Sequence, residues 1–310
     1  MALMDASRNG IVLARANVAR SRPFLSWGFS MAKPSTTVKR NVFRRLHDAG
    51  CFVIPNPWNV GSARYLQGLG FKALATTSSG YAHAQGYADG GQSCDEVLAH
   101  FGEIAAATDV PLNADFEGGF ADDPAGVAEN VTRCIATGVA GLSIEDSTGD
   151  PNQPLYAFDL ALARVKAARA AIDRAGGDVV FTARTEGFIR GRPDMDETIR
   201  RLKAFADAGA DCLYSPGIKT REQITATVKA VAPKPINFLN SGAFGFTVKD
   251  LGEMGVRRIS VGGTLARVAM HAFIKAATEI AKEGKFDSFA GVITNPELNK
   301  FFSDDRRQKP

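Results

Sequence analysis

Eight short apolar runs, alternating with longer amphipathic stretches, predict a (β/α)8 TIM barrel in this 310-residue chain. Two further observations point the same way. A glycine closes the helical stretch about two residues before an apolar run at Gly70, Gly138, Gly209 and Gly255, where only glycine takes the left-handed cap cheaply. Charged residues also gather where the apolar runs end, at the strand termini that form the active face of such barrels.

The strands are predicted over 51–56, 73–79, 111–117, 141–146, 178–185, 212–216, 235–240 and 257–262. Each is short, apolar and bounded by turn residues, as strands buried on both faces must be. Between them, 123–137, 158–175 and 194–208 carry apolar residues three and four apart and are expected as helices. A last helix is expected over 264–281, with Leu265, Val268, Ala269 and Phe273 on its apolar face. Loops this short between helix and strand favour parallel pairing with crossover helices. A doubly wound open sheet is the competing architecture, but no GxGxxG motif follows the first strand.

The composition excludes several classes of function. An apolar fraction of 45% with 23% charged residues is that of a globular chain. A formal charge of +4, with no basic tract, gives no footprint for nucleic acid. No run approaches the roughly 20 apolar residues of a membrane span. Cys51, Cys94, Cys134 and Cys212 have no CxxC spacing and read as free thiols of a reducing, cytoplasmic compartment. Residues 1–35 read as an extension outside the fold. Arg8, Arg15, Arg20 and Arg22 face one acid, Asp5, which allows an organellar transit peptide. Translation from Met31 is the preferred account. The catalytic barrel is expected over 36–290, with a polar tail over 291–310.

The candidate site follows from the strand ends. Asp115 and Glu117 close the third strand, Glu145 and Asp146 the fourth, Arg184 and Glu186 the fifth, and Asp89 lies in a loop upstream. Carboxylates at the ends of apolar strands are costly to desolvate unless they hold a cation or each other. Two residues apart on a strand, Asp115 and Glu117 should point the same way. An oxygen-only donor set favours Mg2+, with Mn2+ as the alternative, over zinc. Arg184 could grip an anionic substrate in bidentate fashion or simply neutralise Glu186. Ser79 and Gly80 offer a hydroxyl and backbone N–H groups to a carboxylate, and Asn237 on the seventh strand joins the substrate-binding set. His83 is a candidate base in the same loop. The turn Ser260-Val-Gly262-Gly263-Thr264 could bind phosphate ahead of the last helix. The lysines, Lys219 apart, sit away from the strand ends, which argues against imine chemistry.

Ser79-Gly80, Asp89, Asp115-Phe-Glu117-Gly-Gly-Phe120, Ser143-Ile-Glu145-Asp146 and Thr182-Ala-Arg184-Thr-Glu186-Gly-Phe188 together resemble the phosphoenolpyruvate mutase/isocitrate lyase superfamily, in order and spacing, over about residues 38–290. The resemblance implies a Mg2+-dependent barrel that makes or breaks a C–C or P–C bond in a small 2-oxo or enolpyruvyl acid through an enolate. It also implies a homo-oligomer, dimer or tetramer, that exchanges the last helix between barrels. By position, Asp115 matches the direct metal ligand. Asp89, Glu117 and Glu145 match residues holding metal-bound waters, Ser79 and Gly80 the carboxylate-binding pair, and Arg184 the anion clamp, with Glu186 beside it.

The departures narrow the activity. The loop after the fourth strand reads Asp146-Ser-Thr-Gly-Asp-Pro-Asn152-Gln-Pro-Leu-Tyr156. It lacks the Lys-Lys/Arg-Cys-Gly-His motif of isocitrate and methylisocitrate lyases, which excludes isocitrate lyase activity proper. Asn152 matches the asparagine of the phosphonomutase lid, but the lysine that accompanies it there is missing. With Arg184, Glu145 and Asn152 as the catalytic set, and Tyr156, His83 or water as proton donor, the expected reaction is decarboxylation or retro-aldol cleavage of a 2-oxo diacid or 2-alkylmalate. Phosphonomutase or phosphonopyruvate hydrolase activity is the alternative. Two other readings compete: a barrel that binds a metabolite without turnover, and a metal-free isomerase that grips phosphate at Gly262-Gly263.

Overall fold

The computed structural model describes residues 33–305; the expectations for residues 1–30 lie outside that range. Helix α1 (Thr36–Leu46) is capped by Ser35 and lies across the start of the barrel. Its Phe43 is buried against Gly141, where a Cβ would stand 2.5 Å from the Phe43 ring and 2.8 Å from Asn113 Oδ1. Then follow β1 (Phe52–Ile54), α2 (Val60–Gly68), β2 (Leu74–Ala75), α3 (Ser78–Ala84), α4 (Cys94–Ala107), β3 (Leu112–Asp115), α5 (Pro124–Ala136) and β4 (Gly141–Glu145). The second half runs α6 (Phe158–Arg174), β5 (Val180–Arg184), α7 (Met195–Asp207), β6 (Cys212–Tyr214), α8 (Arg221–Val231), β7 (Ile236–Leu239), α9 (Val248–Glu253), β8 (Arg258–Ser260), α10 (Thr264–Glu283) and α11 (Asn295–Asp304).

All the strand pairings are parallel, and the sheet runs β1-β8-β7-β6-β5-β4-β3-β2. The seam between β1 and β2 is closed by the Ala75 N–H on the Pro55 carbonyl and by the Asn56 side-chain amide on the Thr76 carbonyl. This is the (β/α)8 barrel. The register sets Glu145 level with Arg184, and Arg184 level with Tyr214. That alignment puts the charged groups of three neighbouring strands at one height. The four junction glycines have φ between 89° and 96°, the conformation their sequence context demands.

Three expectations need correction. The second apolar run is not a strand to residue 79: it leaves the sheet after Ala75, and Thr77 caps α3 through its side chain. Ser79, Gly80 and His83 therefore sit on a helix rather than a loop. The third run stops at Asp115, and Glu117 adopts φ +46° in a turn with Phe120 at φ +55°, so strand alternation does not relate Asp115 to Glu117. The segment after 290 is no bare tail. Helix α11 lays Phe301 on the Tyr65 ring, 4.4 Å between centroids, and Arg64 pairs with Asp305 at 2.6 Å. The four cysteines are free, with Cys134 and Cys212 buried. Among the described residues no helix is long and apolar enough to cross a membrane.

Candidate active site

The C-terminal ends of the strands surround a solvent-open cavity of about 680 Å3. Asp89, Asp115, Glu117, Glu145, Arg184, Glu186, Ser79 and Asn237 all line it. Arg184 stands at its centre. Its Nη1 donates to Asp115 Oδ1 (2.6 Å), its Nη2 lies 3.1 Å from Glu145 Oε2, and its Nε donates to Glu186 Oε1 (3.0 Å). Tyr214 lies under the guanidinium, 4.8 Å from ring centroid to Cζ. Of the two alternatives read from the sequence for Arg184, the structure shows the pairing with Glu186, and adds Asp115 and Glu145 to it.

One arginine does not balance this cluster. Burial and the neighbouring Asp115, Glu145 and Asp89 push the Glu117 carboxyl up to about 8. Burial and Asp115 raise Asp89 as well. Glu145 is raised chiefly by burial, with Arg184 opposing, and Glu186, raised to about 8 by burial, keeps a buried Oε2 with no hydrogen-bond partner. Asp115 spends its second oxygen on the Ser78 N–H and hydroxyl, at 3.0 and 3.1 Å. Mutual repulsion among acids with only oxygen donors is what a hard divalent cation relieves. Among the described residues no three such side chains converge closely enough to hold an ion by themselves.

Asp146 has a different task. Its Oδ1 accepts the Glu186 N–H (2.9 Å) and its Oδ2 pairs with Arg201 (3.0 Å), so it fixes the end of β5 from behind. Gly80 does not reach the acidic cavity. Its N–H turns to Thr77 Oγ1, and a Cβ there would meet the Thr77 side chain at 2.6 Å. It lines a separate apolar hollow with Trp58, His83 and Phe273. Asn152 is exposed at the tip of the loop after β4, and its N–H donates to Asp150 Oδ1 at 2.8 Å. Asn237 faces the cavity but is engaged, donating to Ser260 Oγ (2.9 Å) and accepting from Arg258 Nε (2.8 Å). The backbone N–H groups of Val261 and Gly262 both donate to Asn56 Oδ1 at 2.9 Å, which leaves little of that turn for a phosphate.

One part of the site escaped sequence reasoning, and the loop that the sequence did single out takes a form it did not reveal. Arg164, on α6, is buried, and its guanidinium donates to the carbonyls of Gly118, Ala121 and Asp122 while stacking on Tyr156 at 4.0 Å. It holds the turn that carries Glu117. An arginine in mid-helix is ordinarily a solvated residue, so spacing gives no sign of this. Residues 147–155 form a small hairpin closed by an antiparallel Ser147–Leu155 bridge, and Tyr156 at its base donates to Asp122. Burial and Asp122 push the Tyr156 hydroxyl up to about 12.

A parallel eight-stranded barrel with an acid cluster, an arginine and a hairpin at its C-terminal mouth defines a class of barrel enzyme for small anionic substrates. The sequence profile of the family described as phosphoenolpyruvate phosphomutase matches residues 43–281. The chain belongs to that family, within the phosphoenolpyruvate mutase/isocitrate lyase superfamily. The Mycobacterium tuberculosis protein Rv1998c, which is uncharacterized, is 32% identical over 241 residues, 77% of this chain and 88% of its own. A solved structure from Burkholderia cenocepacia J2315, provisionally described as a lyase/mutase, is 41% identical with a TM-score of 0.83, covering 87% of this chain and 98% of that one. A 2,3-dimethylmalate lyase structure is 28% identical with a TM-score of 0.76, covering 87% and 97%.

Proposed function

We propose that this protein is a Mg2+-dependent lyase that cleaves a C–C bond either in a small 2-oxo diacid, giving CO2 and the enolate of a 2-oxo acid, or in a 2-alkylmalate, giving a 2-oxo acid and the enolate of the departing carboxylate. The observation that carries the reading is the junction of Arg184 with Asp115, Glu145 and Glu186 at one level of the barrel mouth. Asp115, with Asp89, Glu117 and Glu145 around it, would hold the ion. Bound there, Mg2+ would supply positive charge to offset the negative charge that develops on oxygen during cleavage. Arg184, stacked on Tyr214, orients the carboxylate end of the substrate. The 147–155 hairpin stands over the cavity to exclude water. Decarboxylation then needs one proton returned to the product carbon, and cleavage of a 2-alkylmalate needs in addition a base that takes the 2-hydroxyl proton. Tyr156, which lines the cavity, is our candidate for the group that returns the proton to carbon.

Relatives support the same chemistry. An oxaloacetate decarboxylase from Paraburkholderia xenovorans, oxaloacetate acetylhydrolase bound to oxalate, and phosphonopyruvate hydrolase with oxalate and Mg2+ share 26–29% identity with this chain. The last of these keeps P–C chemistry as the second reading. The engaged amides at Gly262 disfavour a metal-free phosphate isomerase, and a non-catalytic binding barrel would have little use for a cluster this costly to keep. We further propose a cytoplasmic homo-oligomer.

The test is an NMR assay of the purified protein with Mg2+ against oxaloacetate, 2,3-dimethylmalate, phosphonopyruvate and phosphoenolpyruvate, repeated with EDTA and with Asp115→Ala. Formation of a 2-oxo acid that both treatments abolish is expected. Turnover that survives EDTA would sink the metal-dependent reading.

A further inference from the structure

Three basic side chains line the cavity among the described residues: Arg184, Arg190 and Arg258. Two are already committed. Arg184 gives each of its three nitrogens to a carboxylate. Arg258 lies buried towards the barrel floor, donating to Asn237 (2.8 Å) and Thr182 (2.9 Å) with a third nitrogen facing His47. Arg190 is different. Its side chain is 41% exposed, it makes no hydrogen bond through its guanidinium among the described residues, and its nearest acid oxygen, Glu145 Oε1, is 3.7 Å away. Its charge also acts on Asp89. Both arginines therefore address Glu145, one at each oxygen.

The backbone beneath Arg190 is firmly placed. The N–H groups of Ile189 and Arg190 donate to the Glu186 carbonyl at 3.1 and 3.0 Å, and that of Arg192 to the Gly187 carbonyl at 2.8 Å. A Cβ on Gly187 would meet the Arg192 carbonyl at 2.9 Å, so the turn packs too closely for a larger residue. The result is an anchored turn that carries a guanidinium with donors to spare, aimed across the mouth. Such a fork matches a carboxylate or phosphonate in pairs of hydrogen bonds, and a loose contact with Glu145 is easily exchanged for one with a ligand.

Resting on the reading of the mouth as a 2-oxo acid site, we propose that Arg190 selects substrates with a second acidic group. One end of the substrate lies at Arg184 and Asp115, and the distal carboxylate or phosphonate takes Arg190 from Glu145. The preferred substrate is then a short dianion, not a simple 2-oxo monoacid.

Calorimetric binding in Mg2+ tests this with oxalate, which fills only the reacting end, with the inhibitor 3,3-difluorooxaloacetate, and with phosphonopyruvate. Arg190→Ala should leave oxalate affinity within about twofold and weaken at least one longer acid by roughly tenfold or more, with Arg190→Lys recovering part of the loss. Whichever acid loses more identifies the distal group. Equal losses for oxalate and both longer acids, or no loss for either, would overturn the assignment while leaving the proposed function standing. Failure of the wild-type protein to bind oxalate with Mg2+ would overturn both.

Discussion

Arg184 carries the electrostatic balance of the mouth, because three buried or nearly buried acids converge on it. Arg184→Met keeps much of the volume but strands those acids. Losing one partner of a buried ion pair costs about 3–5 kcal/mol, so calorimetry should show the melting temperature falling by several degrees. Glu117 sets a pH dependence of unusual sign. Its folded value of about 8 lies above the ordinary 4.5, so the folded protein holds a proton that the unfolded chain has released. Stability of the metal-free protein should therefore fall as pH rises from about 4.5 to about 8. Glu117→Gln should lessen that decline in thermal scans across the range, leaving the part due to Glu186, which is also raised to about 8; an unchanged slope would place the titration elsewhere. The acids and Arg184 were legible in the sequence because strand-end charges are expensive and so seldom accidental. The idle state of Arg190 was not legible, since it depends on what the other cavity arginines already hold.

At the scale of elements, every expected strand and helix exists, and two of the three errors fall where the chain leaves the sheet, the third being helix α11 in the expected tail. The turn 117–120 is one such place: Glu117 and Phe120 both adopt left-handed backbone, which costs of order 1–3 kcal/mol each and persists only when neighbours impose it. Arg164 is the neighbour that does so, through the carbonyls of Gly118, Ala121 and Asp122. Nothing in the sequence marks it, because its acceptors are backbone atoms without residue identity. Arg164→Gln should cost about 3 kcal/mol or more in denaturant unfolding. It should also lower Mg2+ affinity measured by titration calorimetry, because Glu117 loses its fixed position. A loss of stability with unchanged Mg2+ affinity would make Arg164 a packing residue alone.

At the scale of the whole molecule, the apolar pattern of the last long helix predicted its existence but not its surroundings. Helix α10 buries none of its residues in this chain. Phe273 is 66% and Val268 61% exposed, and Phe286, Phe289, Val292 and Ile293 continue the apolar surface beyond it. Single exposed apolar residues need no explanation, but a run of this kind on one helix and its extension does. The hollow formed by Trp58, Gly80, Ala266, Met270 and Phe273 adjoins it, so a second copy could cover helix and hollow together. In a symmetric pair each substitution acts on both subunits at once. Phe273→Glu, which places a charge in the middle of that surface and far from the acids, should reduce the mass measured by light scattering. Because α3 contributes both to this hollow through Gly80 and to the Asp115 contact through Ser78, the same variant should weaken Mg2+ binding as the subunits separate. A wild-type protein that is monomeric at every concentration would overturn the proposed homo-oligomer.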